Sequence, residues 1–471
     1  MRFKITVILL SLLFTFEMEA QTIKSPDNKF NLEVTYPGQS GKKLYLGQYW
    51  RGATYAKDSV VLSAAGKGVF TAKEKYPEGQ YFLYIAPDFR TDMLFGSEQS
   101  KMQITINKDN FLKSTVTGND DTRLLWSYLN KVAENDALRE TLEDQLSASD
   151  LTPQKRAGIE KEIATEEQIA QTYVNNLIKE NKTNWFGTFL KGMTPITLPY
   201  TDPKNDKEFA ENNKYGKVHY FDNINLTDPR LWRTNYLTSY IESYMTQWVN
   251  PTPDSLAIAA TKLVSRTKEN EVCFKEMLSY LINTTTSSDR MGDENIWAKL
   301  CEDYVFGKNL AWIDSAQMTG LQYMYEHIKN NRIGMRARNI KLTTIDGKTI
   351  ETNDIKAEYL ILYFYGHDCN HCIEETPRIY NEVYTKYKDK GLQVVAIDIK
   401  GSDKKEWDKF VKNNKMTGWI NAADPNNISQ YWLNYDTSYI PSVFVLDKNK
   451  KIVAKKIDSK GLEQFFDYYT K

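Results

Sequence analysis

From Tyr359 to Tyr365 the chain runs Tyr-Leu-Ile-Leu-Tyr-Phe-Tyr, and Cys369-Asn370-His371-Cys372 follows a break at Gly366-His367-Asp368. An apolar run without alternation marks a strand covered on both faces. Ile373, Thr376, Ile379, Tyr380, Val383 and Tyr387 then recur at helical spacing. A fold that accommodates both needs a buried sheet with a helix leaving the end of one strand. Cys369 is thereby placed at the helix N-terminus, where unpaired N–H groups and the macrodipole favour an anionic sulfur. A thiol of pKa about 8.5 is only ~3% thiolate at neutral pH, whereas one of pKa about 6 is ~90% thiolate. Thiolate is the attacking species in disulfide exchange, so the pair is placed for that chemistry.

With 471 residues the chain exceeds one ordinary core and is expected to hold several domains. Lys+Arg and Asp+Glu both number 61, a balance that gives no electrostatic case for nucleic acid or an anionic membrane as partner. The N-terminus carries Arg2 and Lys4, an apolar stretch from Val7 to Phe16, and Met18-Glu19-Ala20. This pattern predicts a signal peptide, residues 1–20, cleaved after Ala20, and an exported, periplasmic protein. The stretch is too short to span a bilayer. Only four cysteines occur, too few for a disulfide scaffold in an exported chain of this length.

Residues 21–115 alternate in short strand-like runs, among them Leu32–Val34, Leu44–Leu46, Gly68–Phe70, Tyr81–Ile85 and Met102–Ile106, separated by turn residues such as Pro37-Gly38 and Pro77-Glu78-Gly79. That spacing predicts a small β-sandwich. Residues 116–334 switch to helical period, with Thr152-Pro153 a helix start and Asp228-Pro229 another. Trp232, Tyr236, Tyr240, Tyr244 and Trp248 fall at four-residue intervals after the latter. Such a stripe is expected to be core, with a grip on an extended peptide or glycan as the alternative. Cys273 and Cys301 lie in this region, and either a structural disulfide between them or two buried thiols fits their positions. Residues 335–471 return to mixed patterning: a hairpin at Asp346-Gly347, the strand and Cys-containing helix, a strand at Leu392–Ile399, a helix at Glu406–Val411, a hairpin around Asp447-Lys448-Asn449 and a closing amphipathic helix through Leu462, Phe465, Phe466 and Tyr469.

That last order, with Cys369-Asn370-His371-Cys372 after the strand, Pro377 inside the next helix and Ile440-Pro441 before a later strand, resembles the thioredoxin-like proteins of the TlpA type, exported bacterial thiol–disulfide oxidoreductases. The two upstream regions resemble the uncharacterised β and helical segments that precede such domains. The fold class expected is therefore multidomain: β-sandwich, all-α middle and α/β thioredoxin-like end. The resemblance implies that Cys369 is the nucleophile and Cys372 the resolving thiol. It also implies a cis peptide before Pro441 facing the sulfurs, and an active-site carboxylate at Glu375, whose plain alternative is a solvated first-turn glutamate. Asn370 and His371 fill the space between the cysteines, and a histidine there is a mark of strongly oxidising relatives. No cofactor is required. The implied partners are cysteine-containing exported proteins and a membrane-bound thiol reductase.

The chain departs from the pattern at Asp368, where the family usually has tryptophan, and at Tyr363, where ordinary thioredoxins carry a buried aspartate. An adjacent carboxylate opposes thiolate formation, while the helix terminus and His371 favour it. Potentials on this fold span about −270 to about −120 mV, roughly 7 kcal/mol for two electrons, and these residues do not fix which end applies. Three rival readings are weaker. A peroxidase of the peroxiredoxin kind needs threonine or serine where Gly366 stands. A metal-delivery protein would draw on His367, Cys369, His371 and Cys372, yet no histidine follows Cys372 to complete a site, and no metal is expected. The third is an assembly or binding module with a vestigial thioredoxin domain.

Overall fold

The computed structural model describes residues 30–148 and 151–470; the expected signal peptide lies outside them. The first strands form as their alternation dictates. β1 (Phe30–Thr35) turns Phe30, Leu32 and Val34 inward and exposes or half-buries the residues between. β2 (Lys43–Trp50), β3 (Ala53–Val61), β4 (Lys67–Ala72), β5 (Gly79–Ile85), β6 (Phe89–Phe95), β7 (Met102–Thr105) and β8 (Thr115–Thr117) follow. They make two four-stranded sheets, β4-β1-β7-β8 and β3-β2-β5-β6. The β-rich N-terminal region expected from the turn spacing is therefore present, with β3, β6 and β8 added to the runs legible in the sequence.

Helices come next: α1 (Asp120–Leu146), α2 (Pro153–Glu180), α3 (Trp185–Met193), α4 (Asp206–His219), α5 (Leu237–Ser243), α6 (Pro253–Ser265), α7 (Glu271–Thr286), α8 (Asp293–Tyr304) and α9 (Ser315–Ile328). Thr152 caps α2, its side chain accepting from Lys155 N–H at 3.3 Å ahead of Pro153. The aromatic stripe is not one helix. A short 3-10 turn (Pro229–Arg233), then α5, then a widened π segment (Tyr244–Trp248) carry it. Trp232 and Tyr236 are buried, and Tyr240, Tyr244 and Trp248 are half-buried against Tyr220. The core reading of these rings is the one the packing supports.

The described chain separates into two compact units. One contains the strands and helices up to Val249 together with Ser265–Glu276; the other contains Asn250–Val264 and the residues from Met277 onward. The helical stretch that composition groups together is thus divided, and the boundary falls within α7.

In the second unit a seven-stranded sheet runs β10-β9-β13-β12-β11-β14-β15. The strands are β9 (Lys341–Thr344), β10 (Thr349–Glu351), β11 (Tyr359–Tyr365), β12 (Leu392–Asp398), β13 (Ile420–Ala423), β14 (Ser442–Asp447) and β15 (Ile452–Lys455). β11, β12 and β13 pair in parallel, while β14 and β15 close the sheet antiparallel. β11 lacks polar alternation because both its faces are covered. Ile361, Tyr363 and Tyr365 enter a core with Val383, Phe410 and Leu462, and Leu360, Leu362 and Phe364 enter another with Tyr431 and Tyr435. Full burial of such side chains contributes about 1.5–3 kcal/mol each. The helices of this part are α10 (Asn370–Arg378), α11 (Thr385–Tyr387), α12 (Lys404–Asn413) and α13 (Ser459–Tyr469). The α/β C-terminal region expected from the element order is present. No helix among the described residues is long and apolar enough to cross a membrane.

Candidate active site

β11 lies between β12 and β14 in the sheet, and at its C-terminal end Gly366–Asp368 turn the chain into α10. Cys369 is the N-cap of α10: its backbone is extended (φ −89°, ψ 119°) and its sulfur accepts from Cys372 N–H at 3.3 Å. The positive end of the helix dipole faces the same sulfur. Cys372, one turn on, is fully buried, whereas Cys369 is half-buried. The two sulfurs lie 2.7 Å apart. Burial pushes the Cys372 thiol well above the ordinary range, and its contact with Cys369 pushes the same way. The pair is asymmetric: one sulfur is open to a partner and the other is shielded behind it.

The Ile440-Pro441 peptide is cis, and the Ile440 carbonyl oxygen stands 3.7 Å from Cys369 Sγ. A cleft of about 340 Å³ opens beside them, bordered by His371, Glu374, Glu375, Arg378 and Pro441 among others. Asn370 and His371 are exposed in the first turn of α10. The Glu375 carboxylate borders this cleft, accepts from Ser459 N–H at the start of α13 and lies 3.7 Å from Arg378. Its contacts here tie two helices together.

At the position of the missing buried aspartate, the Tyr363 hydroxyl is 2.8 Å from Thr376 Oγ1, which donates to the Cys372 carbonyl at 2.6 Å. This arrangement ends on the backbone of Cys372. Asp368 is exposed and paired with Lys400, which holds its carboxyl below the usual range. The carboxylate next to Cys369 is therefore accompanied by a cation.

One pair was not singled out from the sequence. His367 Nδ1 and Asp398 Oδ2 lie 2.7 Å apart at the ends of β11 and β12, with the Asp398 side chain fully buried. Burial raises the Asp398 carboxyl, and the His367 contact and the Lys400 N–H at 2.9 Å oppose that. The available signal was an aspartate closing the apolar run Val394–Ile397.

Cys273 and Cys301 are both free and buried, so the disulfide considered for them is not formed. Burial, with Asp228 and Glu276 adding, pushes Cys273 up to about 12, and burial with Glu302 does the same for Cys301, also to about 12. Two inert thiols packed as small apolar groups fit these surroundings. No three His, Cys, Asp or Glu side chains among the described residues gather as a metal site.

Comparison with known proteins gives two matched regions. The AhpC/TSA family profile matches residues 333–455, and a domain of unknown function (DUF4369) matches residues 30–125. Thiol-disulfide oxidoreductase ResA of Bacillus cereus is 33% identical over 142 residues, covering 30% of this chain and 78% of that protein. The Bacillus subtilis protein of the same name is 28% identical over 135 residues, covering 29% of this chain and 73% of that protein. Among solved structures, a domain of a possible thiol-disulfide isomerase from Cytophaga hutchinsonii is 38% identical, covers 29% of this chain and 92% of that chain, and has a TM-score of 0.28. A thioredoxin-like protein from Bacteroides caccae is 21% identical, covers 59% of this chain and 98% of that chain, and has a TM-score of 0.42. The expected likeness to TlpA-type oxidoreductases is borne out by the family profile and the ResA relatives.

Proposed function

The chain belongs to the ResA-type thiol–disulfide oxidoreductases, and from that premise we propose that it is exported and reduces disulfides of cysteine-bearing exported proteins through Cys369 and Cys372. The observation that carries this reading is the asymmetry of the pair: a half-buried sulfur at a helix N-cap with a buried thiol 2.7 Å behind it.

In the first step the Cys369 thiolate attacks one sulfur of the substrate disulfide. A mixed disulfide forms and the other substrate sulfur leaves as thiolate. Cys372 then gives up its proton and attacks Cys369 Sγ, closing the Cys369–Cys372 disulfide and releasing the second substrate sulfur, which takes up a proton. Two electrons pass from the cysteine pair to the substrate. A membrane-bound thiol reductase returns the pair to the dithiol. Pro441 and the Ile440 carbonyl border the attacking sulfur and offer an edge to an extended substrate. Export rests on the basic, apolar and small-residue order of residues 1–20.

The test is a trap. In Cys372→Ala, substrates are expected to accumulate as mixed disulfides on Cys369, released by dithiothreitol and identified by mass. An equal yield from Cys369→Ala would remove this assignment.

A further inference from the structure

The cleft beside Pro441 has a neighbour. A second cleft of about 550 Å³ lies in the same compact unit, bordered on one side by the α7–α8 connection and α9, and on the other by Asp436, Ser438 and Lys455. Lys456 and Ile457 border both clefts, so the two are neighbours.

Polar contacts tie the helical wall to the rest of the unit. Lys455, whose side chain is 1% exposed, meets Glu294 Oε1 of α8 at 2.7 Å and donates to Asn331 Oδ1 at 2.5 Å. Asn295 of α8 donates to the Ile333 carbonyl at 2.9 Å, and Asn331 to the Asn434 carbonyl at 3.0 Å. The rim of the second cleft carries two large apolar side chains in solvent, Met291 and Tyr323, and Tyr439 stands exposed on the border of the first. Exposed apolar groups gathered round a concave surface mark a binding site. Arg290 pairs with Asp293 and Lys456 with Asp436, and Asp289 also borders the cleft.

A small disulfide can reach half-buried Cys369 without entering the second cleft. Contact with the second requires a ligand that extends past Lys456. We propose that the α7–α8 connection and α9 form the outer half of the substrate groove, and that it grips an extended polypeptide segment flanking the substrate's reactive cysteine. This rests on the reading that Cys369 exchanges disulfides with protein substrates.

The experiment uses the full chain carrying Cys372→Ala and two probes that release thionitrobenzoate on attack by Cys369. One is 5,5′-dithiobis(2-nitrobenzoate); the other is a synthetic peptide with a thionitrobenzoate-capped cysteine at its centre and apolar residues on both sides. Tyr323→Ala removes an exposed ring and Met291→Ala a half-exposed side chain whose sulfur accepts from Lys455 N–H at 3.3 Å, so urea unfolding of the variant is compared with the parent's. Together they are expected to slow the peptide by about tenfold and leave the small probe unchanged. A peptide rate that does not fall, or two rates that fall together, overturns the outer groove. If Cys369 of the parent reacts with neither probe, the oxidoreductase reading itself fails and takes this inference with it.

Discussion

The division of labour between the two cysteines comes from their surroundings, since both belong to one turn of helix. Cys369 keeps an open side, while burial holds the Cys372 proton. In Cys369→Ala the labelling of Cys372 by iodoacetamide is therefore expected to climb about tenfold per pH unit from about pH 7 to about pH 9 without levelling; a plateau below about pH 8 would contradict this. Lys400 beside Asp368 is an exposed pair, worth little to stability. Its effect is on the neighbouring sulfur: Lys400→Ala is expected to slow alkylation of Cys369 two- to threefold, roughly, with the difference fading in high salt. An unchanged rate at low salt would show that the carboxylate does not reach Cys369. Cys369, Cys372, Asn370, His371, Glu375 and Pro441 were legible as candidates from sequence order. The contact of His367 with Asp398 was not, because it joins the ends of two strands that are neighbours only in the sheet.

At the scale of elements, what the sequence makes legible follows hydrophobic pattern. β11 stood out because both its faces are covered, and the helical stretch after it because Ile373, Thr376, Ile379, Tyr380, Val383 and Tyr387 recur at helical spacing through α10, a π segment (Ile379–Tyr384) and α11. β13 did not, since Ile-Asn-Ala-Ala shows no strand pattern; the buried Asn421 amide donates to the Met416 carbonyl at 3.1 Å while its Oδ1 has no hydrogen-bond partner among the described residues. The aromatic spacing from Trp232 to Trp248 predicted one helix, but Thr234 leaves helical geometry (φ −120°, ψ 162°) and its hydroxyl donates to the Leu231 carbonyl at 2.6 Å. Local hydrogen bonding of this kind overrides periodicity. The link between α8 and β15 gives a stability test. Lys455→Met leaves the Glu294 carboxylate, 14% exposed, without its cation, and is expected to cost about 3–5 kcal/mol. Adding Glu294→Leu is expected to recover most of that loss, since an apolar pair can replace a buried ion pair. Urea unfolding of the two variants checks both signs; no recovery in the double variant would show that the pair does more than neutralise itself.

For the whole molecule, the division of the helical stretch between two compact units is a matter of long-range packing, which composition and period do not encode. The same packing decides the fate of the remaining cysteines. The folded chain holds the Cys273 and Cys301 thiols up to about 12, above the unfolded value of about 8.5. A group whose folded pKa is raised contributes stability that is complete below the unfolded value and is lost as pH rises through the folded one. Between about pH 8.5 and about pH 12 the urea midpoint is therefore expected to fall more steeply in the parent than in Cys273→Ala with Cys301→Ala; parallel curves would contradict the burial argument. The most direct measurement compares all four thiols in the reduced, intact chain: brief iodoacetamide labelling at neutral pH, followed by peptide mapping. The account expects label on Cys369 alone. Label on Cys372, Cys273 or Cys301 at a comparable rate, or an unlabelled Cys369, would contradict it.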